Sequence, residues 1–255
     1  MSAAEARAET VGAFFDLDGT LLPAPSLEWR FIGYLLARDE ITTAQVGGWL
    51  AEFGKKFWHD LRGATLGNKR YLAGTREELV SDWEKSFAPA FFGENFLPFF
   101  EEGLQRIAWH HAQDHRVLLV SGTLAPLARV VARSLAAYVP ADIEVSASEL
   151  EVSADSSRVW SGRIVGEHMS GEAKLRAVRK LAARYGLDLA RSYAYGDSSG
   201  DMQMLEAVGN AVVVNPTWQL ARTARKRGWQ TCDWKTTLGK SSNAGARHVE
   251  SKAAR

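Results

Sequence analysis

Short, nearly unbroken apolar runs alternate along this chain with longer stretches in which apolar residues recur every three or four positions. The runs at Val11–Phe15, Arg116–Val120, Ser192–Tyr195 and Ala211–Val214 have the length and content of buried strands. The longer stretches predict helices. Leu27, Phe31, Ile32, Leu35 and Leu36 form one apolar stripe, and Thr43 to Leu61 is a second candidate that Gly47, Gly48 and Gly54 weaken. Thr75-Arg76-Glu77-Glu78 has the form of a capping box and predicts a third helix through Phe87, with Pro89, Gly93 and Pro98 punctuating its end. Further helices are predicted over Phe99–Gln113, Leu124–Ala137, Gly171–Tyr185, Asp201–Ala207 and Pro216–Arg227. Ile143–Val145, Glu149–Val152 and Arg158–Val165 read as strands, the last two as a hairpin across Ala154–Ser157.

Strands alternating with helices predict an α/β fold, a doubly wound and mostly parallel sheet with helices on both faces. Such sheets bind ligands beyond the carboxyl ends of their strands. Asp16, Ser121 and Asp197 each stand at the carboxyl end of a predicted strand, so residues far apart in sequence are expected at one rim. The stretch between the first and second strands is long and helical in pattern. It predicts an inserted helical segment over residues 23–96, with the core formed by 1–22 and 97–234 and a basic, Ser- and Gly-rich tail from 235 that reads as disordered.

The chemistry-bearing residues cluster at the strand ends. Asp16-Leu17-Asp18-Gly19-Thr20 places two carboxylates two positions apart in a turn; by average residue usage Asp-x-Asp-Gly-Thr arises in about two chains per thousand of this length. Asp16 is suited to attack phosphorus as a nucleophile, and Asp18 to protonate the leaving alcohol and then deprotonate water. Ser121 and Gly122, with Thr123, offer a hydroxyl and backbone N–H groups to phosphate oxygens. Lys174, near a helix start, is suited to neutralise a phosphoryl group beside Asp16. Asp197 and Asp201 flank a Ser/Gly loop and form a hard oxygen site of the kind Mg²⁺ prefers.

In this order, the four segments resemble the haloacid dehalogenase (HAD) superfamily, and the resemblance spans Val11 to about Trp229. It implies Asp16 as nucleophile, Asp18 as acid and base, and Ser121, Gly122 and Lys174 as phosphate ligands. It also implies Mg²⁺ held by Asp16, the backbone carbonyl of Asp18, and Asp197, with Asp201 in support. The position of the insertion resembles the helical C1 cap of subfamily IB, the branch of phosphoserine phosphatase. The chain departs from the phosphoserine phosphatase pattern near Pro25, where a Glu is usual and Glu28 is the nearest substitute, and at Thr123 and Gly200. Glu28, Lys69 and Arg70 are the substrate-contacting candidates in the cap, Lys69 and Arg70 reading otherwise as a solvated pair. The resemblance implies a phosphomonoester hydrolase acting on a small organic phosphate. The alternatives are phosphoserine phosphatase proper, a lipid-phosphate phosphatase, a phosphotransferase, or a silent scaffold that binds a partner.

Composition narrows the classes. The net charge of +1 provides no field that selects nucleic acid, and no apolar run reaches the length of a membrane span. One cysteine, Cys232, and an N-terminal stretch without signal-peptide character point to a cytoplasmic enzyme. Nothing in the pattern defines an oligomeric state. Nine Trp residues are many, and the aromatics crowd between Trp29 and Trp109. They read as filling a small helical core, including Phe53, Phe57 and Trp58, and alternatively as lining a pocket. His110 and His111 lack further ligands at metal spacing, and His168 lies just before the Lys174 helix, near the expected rim.

Overall fold

The computed structural model describes residues 10–57, 68–87, 97–136, 138–139, 143–153 and 158–237. The side chains of Phe53 and Phe57, all of Trp58, the Ala154–Ser157 turn and residues 238–255 lie outside this set. Six strands form one parallel sheet. They are β1 (Gly12–Phe15), β2 (Arg116–Leu124), β3 (Glu144–Ser148), β6 (Tyr193–Gly196), β7 (Asn210–Val214) and β8 (Gln230–Cys232), in the order β3-β2-β1-β6-β7-β8. Between β3 and β6, β4 (Leu150–Val152) and β5 (Trp160–Ile164) make an antiparallel hairpin. The expected doubly wound sheet is present. β8 is an addition, because its three residues are too short and polar to show as a strand in the pattern.

Alternation along the central strands splits the core into two layers. Phe14, Leu118, Val120, Ala194 and Val213 meet the helices α6 (Glu172–Tyr185), α7 (Met202–Glu206) and α8 (Trp218–Arg227). Ala13, Phe15, Val117 and Leu119 face the other way, toward α1 (Leu27–Ala37), α4 (Glu101–Ala112) and α5 (Ala125–Leu135). The second layer runs on without a break into the inserted segment. Phe31 meets Trp83 and Trp160 edge-on at 6.0 and 6.2 Å, and all three are buried. The described aromatics of the insertion thus serve mainly to fill a core.

Three expectations about the elements fail for physical reasons. Thr75-Arg76-Glu77-Glu78 does not cap a helix. The Thr75 carbonyl accepts from the Trp160 N–H at 2.9 Å and Glu77 N–H donates to Arg158 at 3.1 Å, so the segment is extended against β5. Only a short helix, α3 (Leu79–Asp82), and a wide helical turn over Trp83–Phe87 follow it; α2 (Thr43–Phe57) occupies the second predicted stretch, whose remainder to Leu61 lies outside the described residues. Second, Ser121-Gly122-Thr123 does not follow β2 but lies within it, at a register shift against β3 between Ser121 and Leu124. Third, the chain does not leave the core at 235: Thr237 bridges to Phe100, and the Lys235 and Thr236 N–H groups donate to Glu102.

The insertion and the hairpin are joined through their backbones. Lys69 N–H donates to Gly162 at 3.0 Å and Gly74 N–H to Trp160 at 2.9 Å. Gly162 is needed there: its φ is +80°, and a methyl group on it would lie 2.8 Å from the Arg70 Cα.

Candidate active site

The parallel strands deliver their carboxyl ends to one rim, and a cleft of about 440 Å³ opens there. Asp16 follows β1 and is tied to β6 by its N–H, which donates to the Tyr195 carbonyl at 3.0 Å. Asp18 sits one turn on. Its carboxylate accepts from the Leu27 N–H at 2.7 Å, at the start of α1, so the first motif orients the entry into the insertion. Gly19 has φ +87°, and a methyl group on it would lie 2.5 Å from the Asp197 carboxylate. The Gly of this motif is therefore required by the approach of the fourth motif, as well as by its own turn.

Lys174 lies in the first turn of α6. Gly171, at the N-cap, donates its N–H to the Gly200 carbonyl at 2.8 Å, which locks the start of this helix to the loop carrying Asp197 and Asp201. Lys174 is buried, and its Nζ donates to Asp16 at 2.6 Å and to Asp201 at 2.5 Å. Its pKa is driven well up by those carboxylates against the opposing effect of burial. Asp201 has its other oxygen occupied by the Asp197 and Ser198 N–H groups and the Ser198 hydroxyl. Ser121 is buried and accepts from the Thr123 N–H at 3.3 Å.

The carboxylates are short of positive charge. Burial raises Asp16 to about 7, with Lys174 opposing and Asp201 adding to the rise. Burial and the neighbouring Asp16 and Asp201 raise Asp197 to about 8, and burial raises Asp18 to about 6. Oxygens of Asp16, Asp197 and Asp201 lie within 4.8 Å of one another. Three carboxylates gathered so closely, two of them held toward their protonated forms, are a donor set suited to a hard divalent cation.

On the side of the cleft formed by the insertion, Glu28 on α1 and Lys69 form a bidentate pair at 2.7 Å, and Tyr71 donates its hydroxyl to the same carboxylate. Lys69 is only 3% exposed, contrary to the solvated pair its sequence suggests. Arg70 does not share this position; it is exposed and is not among the residues that line the cleft. Among the described residues the lining contains no Phe, Tyr or Trp. His168 does line it, whereas His110 lies on the other side, buried between Tyr195 and His115. Tyr71 and Ser148, which shape the cleft through Glu28 and His168, escaped sequence reasoning. Tyr71 was signalled only by its closeness to Lys69, and Ser148, a small polar residue in a strand, by nothing.

The profile of haloacid dehalogenase-like hydrolases matches residues 13–206. A Mycobacterium leprae protein named as a hydrolase is 33% identical over 235 residues, which is 89% of this chain and 74% of that protein. Phosphoserine phosphatase SerB1 of Mycobacterium tuberculosis is 32% identical over 89% of this chain and 71% of its own length. The crystal structure of a protein of unknown function from Bordetella pertussis superposes with a TM-score of 0.70 at 26% identity, over 88% of this chain and 99% of that one.

Proposed function

This chain belongs to the haloacid dehalogenase-like hydrolase family and is an enzyme of its phosphatase kind; from that premise we propose that it hydrolyses a small organic phosphomonoester through an aspartyl-phosphate on Asp16, with Mg²⁺ as cofactor. The observation that carries this reading is the meeting of Asp16, Lys174 and Asp197 in one polar cleft from three separate segments. An oxygen of Asp16 forms the new bond to phosphorus as the ester P–O bond breaks. The electron pair goes to the alkoxide oxygen, which takes the proton of Asp18. Water then attacks the acyl phosphate, Asp18 receives its proton, and phosphate leaves Asp16 free again. A group raised to about 6, like Asp18, is placed to give and take that proton near neutral pH.

Ser121, Gly122 and Lys174 would hold the phosphoryl oxygens. Asp16, the backbone carbonyl of Asp18, and Asp197 would hold Mg²⁺, with Asp201 keeping Lys174 and the Asp197 loop in place. When bound, the ion supplies positive charge that lets an anionic nucleophile approach an anionic phosphate. The insertion is read as a C1 cap that chooses the leaving group, through Glu28 and Lys69 in particular. The likeness to SerB1 supports the phosphatase class, while Glu28, already paired with Lys69, leaves phosphoserine without direct support. The polar lining, without Phe, Tyr or Trp among the described residues, favours a small polar leaving group over a lipid.

The test is a phosphate-release assay over a metabolite panel with Mg²⁺, joined to mass spectrometry of rapidly quenched protein. Phosphate on Asp16 during turnover, and loss of turnover in a folded Asp16→Asn variant, are expected. Near-wild-type activity of Asp16→Asn would sink the mechanism.

A further inference from the structure

His168 sits at the cleft wall, between the phosphate end marked by Gly122 and the Glu28–Lys69 pair. Its ring lies over Gly122: a methyl group placed on that glycine would be 3.0 Å from Nε2. The other ring nitrogen, Nδ1, is 3.2 Å from the Ser148 Oγ. Ser148 decides which nitrogen carries the hydrogen. Its single hydroxyl proton goes to the Gly122 carbonyl at 3.0 Å, since a carbonyl can only accept. Its oxygen accepts from the Met169 N–H at 3.1 Å and has one lone pair left. Nδ1 must therefore carry the hydrogen and donate to it.

The consequence is at Nε2. With the hydrogen on Nδ1, Nε2 of a neutral ring is a bare acceptor, and no described group donates to it. Burial, reinforced by Lys69, lowers His168 to about 4, so the ring stays neutral. A bare acceptor repels phosphate oxygens and attracts a donor. An ammonium group is a poor match, because Lys69 lies beside the ring and the carboxylate of Glu28 is already neutralised. A neutral hydroxyl is the remaining common donor.

We infer that His168 is a specificity-determining residue whose Nε2 accepts a hydrogen bond from a hydroxyl group on the leaving alcohol, so that the substrates are phosphate monoesters of hydroxylated alcohols. The inference rests on the phosphatase reading above and deepens it. His168 selects the substrate, and Ser148 is the positioning residue that holds its tautomer and its ring plane.

The experiment measures kcat/KM for glycerol 3-phosphate and propyl phosphate, a pair that differs only in hydroxyl groups, with an aryl phosphate as a third substrate. Wild type, His168→Ala, His168→Gln and Ser148→Ala are compared. Wild type should prefer the hydroxylated ester by roughly tenfold, the discrimination of one well-placed hydrogen bond. The preference should fall to near unity in His168→Ala and return in part in His168→Gln, whose amide oxygen also accepts. Ser148→Ala should lie between, since its ring is free to turn. The ratio is the readout, so a general loss of rate from loop disturbance cancels. No preference in wild type, or a preference unchanged in His168→Ala, overturns the inference. An alkaline fall in kcat/KM near pH 6 to 7 that is present in wild type and lost in His168→Ala also overturns it, since His168 would then bind phosphate as a cation. Failure of the parent reading is separate and visible, because wild type would then turn over none of the three esters.

Discussion

Asp201→Asn isolates the role assigned to Asp201, because it changes charge and acceptor count while keeping shape. Four donors converge on this carboxylate. The Lys174 Nζ reaches one oxygen at 2.5 Å, and the N–H groups of Asp197 and Ser198 with the Ser198 hydroxyl reach the other at 2.9–3.2 Å. An amide has one oxygen, so its NH₂ must confront either the ammonium or the loop donors. One hydrogen bond to a charged group is lost, at about 1.5–3 kcal/mol, and two donors are left opposed. Asp201 is 1% exposed, so solvent does not soften the loss. A total of about 3 kcal/mol follows, within the range for breaking a buried pair. For a chain of this length that is a fall of roughly 6–12 °C in Tm. The contrast is Asp197→Asn. Asp197 is held up to about 8 by burial and by repulsion from Asp16 and Asp201, so neutralising it relieves strain. In EDTA at pH 8 its Tm should stay level or rise by a few degrees, while Mg²⁺-dependent activity disappears. Thermal unfolding followed by circular dichroism, in EDTA and then in Mg²⁺, reads both. Equal falls for the two variants would refute the division into a structural and a metal-facing carboxylate.

Mg²⁺ should raise Tm more at pH 8 than at pH 5. Asp16 and Asp197 are raised from an ordinary value of 3.8 to about 7 and about 8, so their stabilising contribution is complete below pH 3.8 and is lost as pH rises through 7 to 8. The ion relieves what is lost; saturation at about a hundredfold over Kd is worth about 2.7 kcal/mol, or roughly 5–11 °C, and scanning calorimetry at the two pH values with equal shifts would contradict the argument. Lys69→Met should strand the Glu28 carboxylate and change kcat/KM for the best substrate about tenfold more than for an aryl phosphate; equal losses would place specificity elsewhere. Gly162→Ala should destabilise the protein by about 2–3 kcal/mol, since its methyl group meets the Arg70 backbone at 2.8 Å and its φ of +80° suits no side chain, and a denaturant midpoint like that of wild type would show that the insertion is not fastened to the hairpin.

Much of the rim was legible from local pattern. Val11–Phe15 is too apolar to be exposed and too short for a helix, so Asp16 had to stand at a strand end, and the same logic placed Asp197 after Tyr195. Helical spacing from Leu175 to Ala182 likewise required the helix that carries Lys174. These are short-range properties: which residues turn, which are buried, which are charged. Contacts between distant segments decided the rest. Capping-box letters at Thr75 to Glu78 were overruled by a strand more than eighty residues away, whose unpaired backbone groups took the hydrogen bonds a helix start would have used. Lys69 looks like any surface lysine until Glu28, forty-one residues earlier, is brought to 2.7 Å beneath the hairpin. Gly19 reads as a turn residue, yet the space it leaves is filled by the carboxylate of Asp197. The state of His168 depends on Ser148, whose hydroxyl acquires its three partners only when β2, β3 and the loop before α6 meet. Sequence pattern determines which atoms a segment must bury or expose; only the folded chain determines which atoms satisfy them, and the chemistry of the cleft depends on that second choice.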